Sequence, residues 1–488
     1  MRKTERWIAA ALALAALACA YWSLARGPMV GVADNGDFLR VMKTVGFDYA
    51  EPGLTYGDKY FDYAIFAYRD VPVGFGGYVS THLLFLFAAK AANALATGGF
   101  GGTFRLGVLG AVYAATFAGA VALIYTGLQA KRAVRLAVAA ALVAVYSDIG
   151  YAAYYHSFYG EPASMLGFLL AIGAGLHAAK AGGRRRLWWF FAAIVLFVGA
   201  KAQNFAVGLV FFAVLARWRD PARAIGAPAS RRLALALSAG ALLLGFAVYA
   251  ATPKELKRIN LYQTVFYGIL KHSDDVPADL RELGLPETLA PLAGTNFFEA
   301  GTAMPQTSPA LDALFYDRVS HADVALYYAR HPGKLYERVA FAAAHATTIR
   351  PYYLGSFAKE AGREAGAVQL EGGWWSEWKK ERLPRSVGFA TAVGALYLAM
   401  LSSRGIASAA GLRAPAALYA VPGVAAVAYV TPLVGDGDAD LAKHLFLYNV
   451  AFDFMAWFAA AVAIGMLVSA SVAAGRRLRR RASVGRAA

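Results

Sequence analysis

The chain has 488 residues, 59% of them hydrophobic and 16% charged, with a mean hydropathy of +0.45. A soluble domain carries about a quarter charged residues, so this composition excludes an ordinary soluble protein and points to an all-α polytopic membrane protein. The net charge of +17 is not a nucleic-acid footprint, because Lys and Arg gather at the ends of apolar runs, where they set topology. Cys19 is the only cysteine, which excludes an intramolecular disulfide and a cysteine-built metal site.

Apolar runs of about twenty residues read as spans, and Lys/Arg clusters read as cytoplasmic, give one path through the membrane. The basic start Met1–Arg6 and the small residues Ala18-Cys19-Ala20 resemble a signal peptide. The apolar run continues through Tyr21-Trp22-Ser23-Leu24, however, so residues 1–26 are expected to be a retained first helix. Residues 27–103 form a long first external loop. Within it Tyr78–Leu95, with His82 and Lys90, is expected to lie along or dip into the outer leaflet, since a crossing would put Lys131, Arg132 and Arg135 outside.

Residues 104–252 hold spans two to seven: 106–129, a return ending at Asp148, 162–179 after an external loop at 151–161, the hairpin 187–202 and 205–216 with Lys201, Gln203 and Asn204 at its external tip, and 233–251. Lys131, Arg132, Arg135, Lys180, Arg184-Arg185-Arg186, Arg217, Arg219, Arg223, Arg231 and Arg232 mark the cytoplasmic ends. Residues 253–384 are too many for a linker and are expected to form a helical external domain or membrane-surface cap. Residues 385–470 hold the last three spans, and 471–488 a basic cytoplasmic tail. The path has about ten spans. The acids, which did not enter it, serve as a check: of 31, only Glu5 and Asp220 fall on the cytoplasmic side, and Asp453 falls within a span. Chemistry is therefore expected on the outer face. No fixed-period repeat and no matched pair of broken helices suggests a secondary transporter.

Three constellations could carry that chemistry. In Gly31–Arg40, Asp34 and Asp37 are followed by Arg40 and Lys43. If a helix starts after Gly36, Asp37 and Arg40 share a face, leaving Asp34 as the freer carboxylate for general-base or metal work. The bland alternative is a turn with Asp37 as helix N-cap. In Tyr154–Pro162, His156 and Glu161 are the candidates, and the tyrosines read as an interfacial aromatic belt. In Asp436–His444, three alternating acids lack the bidentate acid of a calcium loop. Lys443 and His444 there suit a phosphate, with snorkelling as the alternative. Arg105, Lys201, His82, Lys90 and Asp453 are ionisable groups at membrane depth and candidates on that ground. Tyr352, Tyr353, Trp374, Trp375 and Trp378 would stack on sugar faces or anchor a surface helix at the headgroups.

The strings Ala33–Arg40, Tyr155–Pro162 and Asp440–Leu445, set in this architecture, resemble the GT-C class of membrane glycosyltransferases, and within it the WsfD-like bacterial hexose transferases of surface-glycan synthesis. The resemblance covers Trp7 to about Val468 and is weakest over Pro253–Pro384. It implies transfer of a hexose from a polyprenyl-phosphate-linked sugar to a glycan or lipid acceptor on the outer face of the bacterial inner membrane. It further implies a first-loop base, Asp34 before Asp37, with Arg40, Arg105, His156, Glu161, Lys443 and His444 binding substrate. Glu161 would take a metal or a sugar hydroxyl, and a divalent cation requirement stays open. Unlike the adjacent acids of several related transferases, Asp34 and Asp37 are separated by two residues. The competing class is a lipid-linked glycan flippase, which would need acids along a path through the membrane.

Overall fold

The computed structural model describes residues 3–25, 27–74, 77–181, 183–217 and 228–484. Arg219, Asp220 and Arg223, expected on the cytoplasmic side, lie outside the described residues. The chain is a helical membrane bundle. Five helices are long and apolar enough to cross a membrane, or up to eight if each of three bent pairs is one span. His82–Thr97 and Ala202–Leu215 are shorter apolar helices.

Helix α1 (Lys3–Ala25) leads through a short helix, α2 (Leu39–Val45), into two strands, β1 (Phe47–Tyr49) and β2 (Ala67–Asp70). Helix α3 (His82–Thr97) and strand β3 (Thr103–Arg105) precede α4 (Leu106–Gly127), and α5 (Arg132–Tyr146) follows. Helices α6 (Glu161–Ala181), α7 (Arg184–Val198), α8 (Val207–Arg217) and α9 (Pro228–Ala250) complete the first part of the bundle. After the polar region come α10 (Ser376–Arg382), α11 (Val387–Ser402), α12 (Val421–Asp436) and α13 (Phe446–Val484).

Helix α6 is apolar on every side and buried on nearly every side, as an all-round apolar helix must be. It packs on α4 and α7, and Gly167 lets α7 come close: a Cβ there would lie 2.7 Å from the Phe197 Cα. Helix α1 packs along α4, and α13 along α5 and α12. At the basic end of the bundle Glu5 pairs with Arg135 at 2.9 Å and Arg132 at 3.8 Å and accepts from the Tyr125 hydroxyl at 2.8 Å. This places the start of α1 beside the turn between α4 and α5, where the charge pattern put both.

One expectation needs correction, and one feature of the first loop was not anticipated. In that loop β1, β2 and β3 form a small antiparallel sheet, with Phe47 opposite Asp70 and Ala67 opposite Arg105. Its inner face carries Phe47, Tyr68 and Phe104, buried against Phe158. The stretch 151–161, expected as an external loop, is not an open loop. The chain bends by 61° after α5 and stays helical to His156, and Tyr151, Tyr154 and Tyr155 are fully buried. They are core rather than belt, because the bend turns their rings into the bundle, where Tyr151 and Tyr154 meet Phe446 edge to face.

The polar region splits in two. Residues 261–328 enclose a core of their own, around Phe266, Leu280, Phe315 and Tyr327. Residues 342–375 instead return to the main core through Ala342, Ile349, Leu354, Phe357 and Trp375.

Of the ionisable groups expected at depth, Lys90, His82, Lys201 and Asp453 have polar partners, whereas Arg105 is exposed. Lys90 on α3 is buried, donating to the carbonyls of Val45, Gly46 and Val71 and pairing with buried Asp70 at 2.8 Å. His82 meets the Tyr113 hydroxyl at 2.8 Å. Lys90→Met should cost about 3–5 kcal/mol of stability, because it leaves a buried carboxylate and three carbonyls without their cation. Thermal unfolding in detergent measures this, and Lys90→Met/Asp70→Asn should recover part of the loss.

Candidate functional site

Four stretches distant in sequence meet at the end of the bundle away from Glu5: 34–40, 159–161, 201–204 and 436–444. The first is fixed by backbone hydrogen bonds. Gly31 and Ala33 donate to the carbonyls of Ser356 and Gly355, and Phe61 donates to the Asp34 carbonyl. The chain then turns at Gly36, whose φ of +99° is open to glycine and strained for other residues. That turn brings the Gly36 and Phe38 N–H groups to Asp34 Oδ1, at 2.8 and 3.0 Å. The local capping role thus belongs to Asp34, where a turn reading alone assigns it to Asp37.

The two carboxylates of this loop are in opposite states. Asp34 is 3% exposed, and its second oxygen, Oδ2, is buried without a hydrogen-bond partner. Burial, with the neighbouring charge of Asp37, pushes its pKa up to about 7, against the two backbone donors and Lys443. Asp37 is also subject to burial, but Arg40 at 2.7 Å and Lys443 at 2.8 Å overcome it and hold the carboxyl far below the usual range. Two acids three residues apart therefore differ because one has cations and the other has none in contact.

Lys443 is the hub. Its buried ammonium pairs with Asp37 and Asp440, both at 2.8 Å, and lies 5.1 Å from the centre of the Tyr159 ring. Asn35 ties the two loops together by donating its side-chain N–H to Asp440 at 2.7 Å. The Tyr159 hydroxyl accepts from the Asn35 backbone at 2.9 Å and lies 2.9 Å from the Ala33 carbonyl, while its ring packs edge-on against Phe38. Next to this hub His444 pairs with Asp436 at 2.8 Å, and Gln203 donates to the His444 carbonyl at 2.8 Å. Glu161, buried at the start of α6, pairs with Lys201 at 2.7 Å.

An apolar cavity of about 320 Å³ adjoins the hub and shares His444, Asp436 and Gln203 with it. Its walls include Phe205, Tyr249, Leu256, Val430 and Pro432, and Lys257, Asn260 and His321 add polar groups. No group of three His, Cys, Asp or Glu side chains arranged to hold a metal ion occurs among the described residues.

Of the residues singled out from sequence, Asp34, Asp37, Arg40, Glu161, Lys443 and His444 lie in this cluster. Two do not join it. His156 is buried behind the loop, with Nδ1 2.7 Å from the Val30 carbonyl and its ring so close to Gly110 that a Cβ there would lie 2.4 Å from Nε2. Arg105 is exposed at the end of β3 and takes part in none of the cluster's ion pairs. Lys443 does not stand open to a phosphate, because two carboxylates already hold its charge. Asn35, Tyr159, Gln203 and Asp440 belong to the cluster but were not picked out as binding residues. Asn35 and Tyr159 lie inside the quoted strings, so adjacency to Asp34 and Glu161 was the available signal.

Asp453 is held in a buried polar cluster. Fully buried, it pairs with buried Lys379 at 2.5 Å and accepts from the Trp375 indole at 2.7 Å and the Tyr151 hydroxyl at 2.6 Å. Asp148 joins the same junction, accepting from the Trp375 and Ser376 N–H groups. Trp375 is therefore a core anchor, while Trp374 and Trp378 are half exposed.

The family model for the YfdI N-terminal transmembrane domain matches residues 2–480. Neither the curated proteins nor the solved structures give a match. A match over nearly the whole length, on a helical membrane bundle, decides the family: the chain belongs to the YfdI N-terminal transmembrane domain family.

Proposed function

We propose that the chain is a GT-C-type glycosyltransferase that moves a hexose from a polyprenyl-phosphate sugar to a glycan or lipid acceptor, on the outer face of the bacterial cytoplasmic membrane. One observation carries this reading: Asp34 combines an unpartnered buried oxygen with a pKa of about 7, next to an acid that is locked in its ionised form. A general base works best when its pKa lies near the working pH. Asp34 fits that role, and Asp37 serves to seat Lys443 and Arg40.

In the proposed step Asp34 Oδ2 takes the proton of the acceptor hydroxyl as its oxygen attacks the anomeric carbon. The bond from that carbon to the phosphate oxygen breaks, and the lipid phosphate leaves with the electron pair. It needs no acid, only positive charge and hydrogen-bond donors. His444 and Lys257, both lining the apolar cavity beside the hub, are the groups that would meet it. The cavity walls suit the first isoprene units. One base and, among the described residues, no second free carboxylate placed as nucleophile predict inversion at the anomeric carbon. Family membership and the resemblance to the WsfD-like transferases support the same reading, and the acidic bias of the external segments supports the outer face. The flippase alternative loses its main support, since Asp453 is taken up in a structural junction.

The test is transfer by purified protein in lipid vesicles, with a panel of polyprenyl-phosphate hexoses and extracted envelope acceptor, with and without a divalent-ion chelator. Transfer with at least one donor is expected, together with an inverted glycosidic bond. Lipid-linked sugar that crosses the vesicle membrane without any transfer would overturn the proposal.

A further inference from the structure

Only two non-glycine residues among those described have a φ in the left-handed region, Asp440 at +53° and Phe61 at +68°. Asp440 belongs to the Lys443 hub. An aspartate tolerates that conformation, whereas a bulky aromatic residue is strained in it, and such strain persists only where surrounding contacts fix it. Phe61 is fixed on both sides: its N–H donates to the Asp34 carbonyl at 2.8 Å, and its own carbonyl accepts from Gly355 at 2.7 Å. The segment that holds the proposed base thus also fixes the backbone that aims the Phe61 ring.

That ring is only partly buried and stands in a row of others. Its centroid lies 6.3 Å from those of both Tyr56 and Tyr353, and Tyr60 follows 5.0 Å from Tyr56. Tyr56 is 71% exposed and Tyr353 46%, so the row is open to solvent. It leads to a cavity of about 430 Å³ that shares no residue with the apolar one beside His444. Tyr63 and Phe66 line this cavity together with the exposed carboxylates of Glu51 and Glu360 and the Asp58–Lys359 pair, at 2.7 Å. The Ala64 N–H, donating to the Phe357 carbonyl at 2.9 Å, ties its two walls together. The volume is that of a small-molecule site. Aromatic faces stack on the C–H faces of pyranose rings, and carboxylates accept from sugar hydroxyls. The acids at the rim would repel anionic headgroups, so this surface fits a glycan better than a membrane.

We propose that the aromatic row and the cavity form the acceptor subsite, with the accepting sugar stacked on Phe61 beside Asp34 and a neighbouring sugar of the same glycan in the cavity. The assignment rests on the transferase reading and narrows the acceptor to a glycan of at least two sugar units.

The experiment measures binding apart from transfer. Oligosaccharide released from envelope glycan by mild acid and labelled with a fluorophore is titrated onto the full-length protein in detergent, and transfer kinetics are run on the same variants. Tyr56→Ala and Tyr353→Ala should each weaken binding about tenfold and raise the acceptor KM in step. Phe61→Leu keeps an apolar side chain without a flat face and should do the same, while Phe61→Tyr should retain binding. Tyr336→Ala, at an exposed aromatic residue outside the row, is the control and should leave binding unchanged. Unchanged thermal midpoints for Tyr56→Ala and Tyr353→Ala show that the fold is intact. Binding by wild type without transfer would overturn the transferase reading and keep the row as a sugar site. No binding by wild type, or binding and KM indifferent to the aromatic variants, would overturn the subsite.

Discussion

Asp34→Asn should abolish sugar transfer and at the same time make the protein more stable at pH 8. Removing a positioned general base costs about 10²–10⁴-fold in rate. The stability gain follows from the direction of the pKa shift. Burial lifts the Asp34 pKa from 3.8 in the unfolded chain to about 7 in the folded one. Below pH 4 both states are protonated and the site carries no penalty. Between pH 4 and 7 the unfolded chain releases its proton first, so folding loses stability as pH rises, and above 7 the loss is complete. At about 1.4 kcal/mol for each pH unit, this is on the order of 4 kcal/mol. Asn keeps an oxygen for the Gly36 and Phe38 N–H groups and resembles the neutral acid, so it escapes the penalty. The unfolding midpoints of wild type and variant should coincide near pH 4 and diverge up to pH 8, with the variant higher. Wild-type transfer should rise with pH through a single ionisation near 7. A variant less stable than wild type at pH 8 would contradict the assignment of Asp34 as the destabilised acid.

The second large effect is expected at the buried junction below the polar region. Lys379→Met leaves the Asp453 carboxylate fully buried with two neutral donors and no cation, a change that typically costs about 3–5 kcal/mol. Lys379→Met/Asp453→Asn should regain most of it, because two neutral groups need no compensating charge. Chemical unfolding followed by tryptophan fluorescence reads this directly, since Trp375 donates to the same carboxylate. If the double variant is as unstable as the single one, packing of the Lys379 stem, and not charge, holds α10 to the bundle.

Much of the bundle was legible in the sequence because a bilayer demands long apolar runs and punctuates them with basic residues. The start of α1 and the Lys131–Arg135 turn met at one end as the charges implied, through Glu5. The loop at Asp34 to Arg40 was legible for a different reason: polar residues crowded beside a span stand out. Their partners were not. Asp37 and Lys443 are separated by most of the chain, and no local period encodes such a pairing. The sheet escaped notice because its strands have only three or four residues, although Ala67-Tyr68-Arg69-Asp70 does alternate between exposed and buried. Tyr151, Tyr154 and His156 read as loop residues because aromatic and polar residues after a span look the same whether the chain opens into a loop or bends back into the bundle. Asp453 was flagged correctly as unusual, but its cation came from a segment that reads as surface.

The pairing of Asp37 with Lys443 also bears on when the cluster can assemble. Ribosomes deliver the chain from its N-terminus, so the loop bearing Asp34 is among the first segments made. Its partners at Gly355 and Ser356 follow much later, and Lys443 emerges 406 residues after Asp37. Until then Asp37 lacks its buried cation, and the Asp34 turn lacks the strand-like contacts that fix it. A product that ends before Gly355 would therefore lack both the backbone partners that fix the Asp34 turn and the buried cation of Asp37.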